Sequence, residues 1–482
     1  MITTLLILVP LATGLVTFLL KGKTARSWAL ISAIVTLIIS VGCTLTYQSN
    51  PASLTMDVPW IAQLGANIHL GLDGIASIMC LLTSISYVVT FLSCWKHTFK
   101  KEQQFYGLML LMQAGLMGVF ASFDALLFYA FWELVIIPAY FLCSIWGGKR
   151  RIEITFKFFV YTFFGSLLML IGIMYLYFQT PGTHSFSWEA FKSLHLDSTQ
   201  QSWLFWLFFI AFAIKMPVFP FHTWQPDTYE TAPTPVTMIL SAVMVKMGLF
   251  GVIRWILPVL PSGVAFWGHF VMILSVIGIV YASCIAIVQT DLKRLFAYSS
   301  IAHMGLMSAV VFSGTETGMQ GVLIQMFNHG IIILGLWVVV EAIEQKLGTR
   351  DIRELGGLAT KSPRLAIAFL LVCLGNIALP LTSGFVGEFM MFAGLLQYSV
   401  WMMAVAGLAI ILVAIYILRM LQKVIFGSLN SLTEKIVDLR IYEWLALAVV
   451  VGLIFAVGIY PKPLLDILHH TTDSLLAMNL VP

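Results

Sequence analysis

The sequence predicts an all-α, polytopic membrane protein of about fourteen transmembrane helices, and three observations carry that prediction. Hydrophobic residues make up 60% of the chain and charged residues only 10%, with a mean hydropathy of +0.95. Soluble domains carry roughly 25% charged residues, so this composition is matched to lipid. Apolar runs of spanning length recur from one end of the chain to the other, a helix needing roughly 20 apolar residues to cross a bilayer. The basic residues outside the spans, finally, fall almost wholly into every second connecting loop, the pattern left by the positive-inside rule.

In chain order the spans are expected at 2–20, 27–46, 71–95, 105–122, 124–146, 153–178, 203–230, 235–257, 265–289, 295–313, 318–345, 364–397, 400–424 and 441–460. The first run has its basic residues after it (Lys21, Lys23, Arg26) and no basic segment before it. That marks a first span rather than a cleaved signal. Loops 21–26, 96–104, 147–152, 290–294, 346–364 and 425–440 hold eighteen Lys and Arg, and the opposite loops hold two, Lys192 and Lys462. The imbalance predicts a multi-pass protein with the basic loops cytoplasmic and both termini outside, in the periplasm if the membrane is a bacterial inner (plasma) membrane. Segment 180–202 reads as a polar loop with a short interfacial helix, and 461–482 as another surface helix. The formal charge of +4 is too small to suggest a nucleic-acid partner. The six cysteines are scattered singly without ligand spacing, which predicts buried small hydrophobes rather than an iron–sulfur or disulfide framework.

Two spans are interrupted. The seventh carries Pro217 and Pro220 just after Lys215, and the twelfth carries Pro380 and Gly384 ahead of Glu388. Proline removes a donor from the helix ladder, and broken backbone at membrane depth is tolerated only inside protein or beside water. Such breaks mark ion sites in transporters and recur in inverted repeats. Lys215 to Glu388 and Lys246 to Arg419 are each separated by 173 residues, and Glu133 to His303 by 170. The expected organisation is therefore a three-helix segment at 1–103 and two inverted five-helix repeats at 104–258 and 259–426. A C-terminal helix and tail at 427–482 follow, with spans 7 and 12 broken.

Charges inside the apolar runs are the candidate functional groups. A lone charge at the bilayer centre costs at least ~2.5–3.5 kcal/mol, so a chain that retains several at that depth uses them. Glu133 is the tenth residue of its span, Lys215 closes FFIAFAIK, and Lys246 lies in VMVKMGLFG. About ten residues, ~15 Å of helix, separate Lys246 from either span end, beyond the reach of a snorkelling lysine. A carboxylate and a lysine that tune one another's proton affinity suit proton movement; the competing role is a structural ion pair. Glu388 is the acid in the middle of the second repeat, and His222, His303 and His329 complete a relay if they are not merely satisfied core residues. Ser299, Ser300, Gln325 and Asn328 supply polar neighbours able to hold water. Lys157, Glu341, Glu344 and Arg254 read as interface anchors, and the aromatics as lipid-facing or belt residues.

Three segments, LGLDG (70–74), FAIKMPVFPFHTWQPDTYETAPTPV (212–236) and QTDLKRLFAYSSIAHMG (289–305), resemble the signatures of antiporter-like subunits of respiratory complex I. The same family holds large subunits of multisubunit cation/proton antiporters and of membrane-bound hydrogenases. Glu133, Lys215 and Lys246 match the family's acid of the fifth span and lysines of the seventh and eighth. Most members, the L- and N-type chains included, place lysine in broken span 12, whereas GEF with Glu388 is the M-type pattern. The resemblance implies a proton-translocating subunit of an NADH:quinone oxidoreductase, working beside L- and N-type chains in the membrane arm. It also implies that NADH, FMN, iron–sulfur clusters and quinone bind partner chains and that this chain holds no cofactor; the sequence indeed lacks a Gly-rich nucleotide fingerprint. The rival functions are a cation/proton antiporter or hydrogenase subunit, and a scaffold whose charges move nothing.

Overall fold

The protein, described here from a computed structural model over residues 2–476, is built from eighteen principal helices and one β-hairpin. The helices are α1 Ile2–Thr17, α2 Lys23–Ser49, α3 Gly74–Ser93, α4 Glu102–Ala121, α5 Ala125–Trp146, α6 Arg151–Gln179, α7 Trp188–Lys192, α8 Ser198–Lys215 and α9 Gln225–Thr231. They continue as α10 Thr234–Val259, α11 Pro261–Val288, α12 Leu292–Val311, α13 Glu316–Leu347, α14 Pro363–Asn376, α15 Ser383–Tyr398, α16 Val400–Val424, α17 Ile441–Ile459 and α18 Lys462–Leu476. Among the described residues ten of these are long and apolar enough to cross a membrane, and α1 and α14 are shorter apolar helices. The last six residues of the expected C-terminal segment, 477–482, lie outside the described residues.

Several helices start where an aspartate satisfies free N–H groups of the first turn. Asp73 caps α3 through Ala76 N, Asp124 caps α5 through Leu126 N and Leu127 N, and Asp291 caps α12 through Arg294 N. Asp197 and Gln200 form a reciprocal capping box on α8.

Burial sorts the helices into a core and a rim. The most apolar stretch of α10 and of α13 is wholly buried, whereas that of α16 is 28% buried and that of α17 33%. A helix apolar on every side belongs in the interior of a large protein or against lipid, and the two cases separate here. Large apolar side chains such as Leu19, Ile38, Phe178, Phe266, Trp401 and Phe426 stand exposed on the rim. An apolar surface of that extent suits lipid contact. Both expected breaks are present: 216–224 between α8 and α9, and 377–382 between α14 and α15.

Four expectations are corrected. Residues 47–70, which the apolar-length reading places between spans, contain an antiparallel hairpin of β1 Met56–Ile61 and β2 Ala66–Leu70, so the fold is not purely α. The hairpin strands are too short and too exposed to register as apolar runs. The aromatics are not mainly lipid-facing: Trp132, Trp224, Trp337, Tyr87 and Tyr106 are among the largest fully buried side chains. Cys284 is exposed, unlike the other five cysteines. Glu341 and Arg254 are 3% and 6% exposed and paired inside the protein instead of anchoring at an interface. In each of the last three cases the deciding factor is what packs on the other side of the helix, which apolar length does not encode.

Candidate functional site

Lys246 lies on α10 between two wide turns of π-helix, Leu240–Met244 and Val252–Ile256, a backbone feature concentrated at functional sites. Its side chain is fully buried; Nζ donates to the Ser241 carbonyl at 2.8 Å and lies 2.9 Å from His329 Nδ1 of α13. The His329 ring stands 5.2 Å from the His303 ring of α12, centroid to centroid. His303 Nδ1 in turn lies 3.1 Å from Glu388 Oε1 of α15. Lys246, His329, His303 and Glu388 thus form one line across four helices, and each member is less than a tenth exposed. Both histidines keep Nε2 free of any partner among the described residues, as do Gln325 Oε1, Asn328 Oδ1 and Ser300 Oγ. Buried polar atoms of this kind ordinarily hold ordered water. Asn328 Nδ2 donates to the Ser383 carbonyl at 2.8 Å, which ties α13 to the first residue of α15 at the second break.

Lys215 and Glu133 are arranged differently. Lys215 is the last residue of α8, 1% exposed, and its Nζ has no hydrogen-bond partner among the described residues. The ammonium lies 5.2 Å from the centre of the Trp132 ring, a cation–π contact. Glu133 is not within 4.0 Å of it, the limit for an ion pair, but is close enough for the two charges to interact. Ser166 and Tyr129 are the polar neighbours of Glu133. Lys215 stands at the C-terminal end of α8, the negative pole of the helix dipole, which favours a cation. Gly248 of α10 lets the break approach: a Cβ there would stand 2.5 Å from the Phe212 carbonyl and 2.8 Å from Met216 N. His222 is buried beyond the break, packed against Phe219 and Tyr281, and its Nδ1 reaches neither lysine. The structure therefore brings four of the seven candidates into one line and leaves Lys215, Glu133 and His222 as separate neighbours of it.

Two features escape the sequence reading. Four of the basic loops converge on one cavity of about 670 Å3, whose wall includes His97, Asp227, Glu230, Lys293, Glu341 and Glu344. Most of its buried charges are paired: Arg294 with Glu230 at 2.7 Å, Arg350 with Asp291 at 2.6 Å and with Glu344 at 3.1 Å, and His97 with Glu341 at 3.0 Å. On the opposite face Arg254 holds Asp73 of LGLDG at 2.6 Å while stacking on Phe123 at 4.3 Å. The charge in those loops was legible, but the pairing joins residues up to 244 positions apart and leaves no local signal. Among the described residues no group of three or more His, Cys, Asp or Glu side chains is placed to hold a metal ion.

Residues 122–417 match a family described as the transmembrane region of NADH:quinone oxidoreductase and Mrp antiporters. The chain is 37% identical over 453 residues to NADH-quinone oxidoreductase subunit M of Rickettsia prowazekii, spanning 93% of this chain and 92% of that one. Its fold superposes on a chain of respiratory complex I from Thermus thermophilus with a TM-score of 0.92 and 29% identity, covering 99% of both. A chain of the Mrp complex from Dietzia shares the fold at a TM-score of 0.84 and 22% identity, over 98% of this chain and 52% of that one.

Proposed function

This chain belongs to the NADH:quinone oxidoreductase/Mrp antiporter transmembrane family, and on that premise we propose that it is a proton-translocating, M-type membrane-arm subunit of NADH:quinone oxidoreductase. The observation that carries the reading is the line Lys246–His329–His303–Glu388. Each group accepts and releases a proton, Lys246–His329 and His303–Glu388 are in direct contact, the two imidazole rings stand 5.2 Å apart, and unpartnered polar atoms beside them offer sites for the water that would complete a wire. A proton is taken up from the cytoplasmic side near the break of span 7, where the charged cavity opens beside Asp227 and Glu230. Lys215, tuned by Glu133, loads it and passes it to Lys246 through water, with His222 flanking the uptake side. It then crosses His329 and His303 to Glu388 and leaves on the periplasmic side.

The finer architecture belongs to the same proposal: fourteen spans with both termini periplasmic in a bacterial inner membrane, and inverted five-helix repeats at 104–258 and 259–426. L- and N-type chains flank it in the membrane arm. NADH, FMN, iron–sulfur clusters and quinone bind partner subunits, and this chain carries no redox centre. The energy for transport is then delivered through the protein from those partners.

The test is proton uptake in inverted membrane vesicles energised with NADH, with amounts of assembled complex matched between strains. Lys246→Met, of similar length and without a titratable group, is expected to lower uptake roughly tenfold or more. Wild-type uptake in assembled Lys246→Met complex would remove the central step of the relay.

A further inference from the structure

A second polar connection reaches the Glu388 end of the line, and it comes from the basic-loop face. It begins in a cavity of about 190 Å3 between α11, α12 and α16, whose wall includes Gln289, Thr290, Tyr416, Arg419 and Lys423. Tyr416 is 1% exposed, and its hydroxyl donates to Ser299 Oγ at 2.9 Å. Asn376 Nδ2, at the edge of the second break, donates to the same oxygen at 3.3 Å, and Asn376 Oδ1 has no partner among the described residues. Ser299 and His303 are four residues apart on α12, hence neighbours on one face with about 6 Å of helix rise between them. His303 is the residue that holds Glu388, and the Tyr416 hydroxyl and Glu388 are close enough to interact electrostatically. Two hydroxyls, with Asn376 as a side branch, therefore lead from the basic-loop face to within one helical turn of the imidazole that holds the terminal carboxylate, a gap that water must bridge.

Such a chain is a hazard for a pump. A carrier in contact with both faces at once returns its proton down the gradient it helped to build. What distinguishes this cavity is its charge. Arg419 and Lys423 stand one turn apart on α16, exposed, and neither lies within 4.0 Å of a carboxylate among the described residues. In the larger cavity, by contrast, Arg294 and Arg350 are neutralised by acids. Uncompensated cations at the mouth of a cavity raise the energy of an excess proton there, as arginines do in water-selective pores. We propose that Arg419 and Lys423 form an electrostatic seal that blocks proton return from Glu388 to the basic-loop face along Tyr416 and Ser299. This rests on the reading of Glu388 as a proton carrier.

The experiment uses the whole complex reconstituted in liposomes, with no electron donor, and a pH gradient imposed across the membrane. Passive proton flux through complex carrying both Arg419→Gln and Lys423→Gln is expected to rise at least about threefold over the unmodified complex. Adding Tyr416→Phe, which keeps the ring and removes the proton, should return the flux to the unmodified level. A doubly neutral complex as tight as the unmodified one overturns the seal, and so does a leak that persists with Tyr416→Phe. Should the double variant fail to assemble, Lys423→Gln alone is held to the same two criteria. NADH-driven pumping by Glu388→Gln separates the two readings. If pumping is lost while the doubly neutral complex stays tight, Glu388 remains a carrier and only the seal falls. If Glu388→Gln pumps as well as wild type, both fall.

Discussion

The two helix breaks use one device with opposite charges and in opposite surroundings. At the first, Lys215 is the terminal residue of α8, where the negative end of the helix dipole favours a cation. Met216 N, Val218 N and Trp224 Nε1 take up the carbonyls of Phe212, Ala213 and Ile214, and the ammonium faces the Trp132 ring with Glu133 further off. The wholly buried α10 packs on this break, of which Pro220 and Thr223 are exposed. At the second, Glu388 stands five residues inside α15, beyond the first turn where a dipole acts, and depends on direct contact with His303. Its connecting loop is strained and exposed: Ala378 and Leu381 have φ of 57° and 75°, and Leu381 is 64% exposed. A buried cation without a direct partner responds to the distance of a remote charge, here Glu133, whereas a contacted acid responds to the protonation of its neighbour. The first break is thus suited to being driven from outside, and the second to handing a proton on.

The largest effects should come from the remote pair. Glu133→Gln and Lys215→Ala are each expected to reduce NADH-driven proton uptake in inverted vesicles roughly tenfold or more. Assembly should be normal, since neutral side chains cost less in lipid. Full pumping by both variants would make the pair structural and erase the contrast. A graded series follows at the second break. Glu388→Asp should keep part of the flux, Glu388→Lys less than wild type, and Glu388→Gln least. Lysine exchanges a proton but cycles between neutral and positive, which changes the field felt by His303 and Lys246. A ranking with Gln equal to wild type would move the exit elsewhere.

The next effect is on packing. A Cβ on Gly384 would stand 2.3 Å from the Gly375 carbonyl, so the two halves of the broken helix touch through this residue. Gly384→Val should destabilise the second unit by about 1–3 kcal/mol, read as lower yield of assembled complex and faster inactivation in detergent. Unchanged yield and lifetime would show that the break has room to open.

The smallest effect concerns how each break is anchored. The helix before the first, α8, is capped by its own Asp197. The helix before the second, α14, is capped from a distant loop by Asp438, which accepts from Ser362 Oγ at 2.9 Å and from Arg364 N and Leu365 N at 3.1 Å. Burial pushes that carboxyl up, but the N–H groups of Leu439, Arg364 and Leu365 and the Ser362 hydroxyl outweigh it and hold it below the usual carboxylate value. Its contribution is therefore complete above the ordinary carboxylate range and is lost as pH falls through the lowered value. Asp438→Ala should cost about 1 kcal/mol at neutral pH, with the difference from wild type shrinking on acidification. A difference that grows in acid would refute the cap.

What the sequence by itself determined follows from local costs. Glu133, Lys215, Lys246 and Glu388 stand out because a charge within an apolar run is expensive in lipid whatever surrounds it. Both breaks are legible because proline cannot continue a helix ladder, and the shared face of the basic loops because loop charge alternates along the chain. Partnership is another matter. That Lys246 meets His329, 83 residues away, and that His303 meets Glu388 depend on how far each helix is rotated about its axis when four of them pack. The same rotation separates Lys215 from Glu133, buries Glu341 and Arg254 in pairs, and joins Tyr416 to Ser299. Rotation is settled by side-chain packing summed over the whole interior, and in a chain apolar on nearly every helix face no single residue records it.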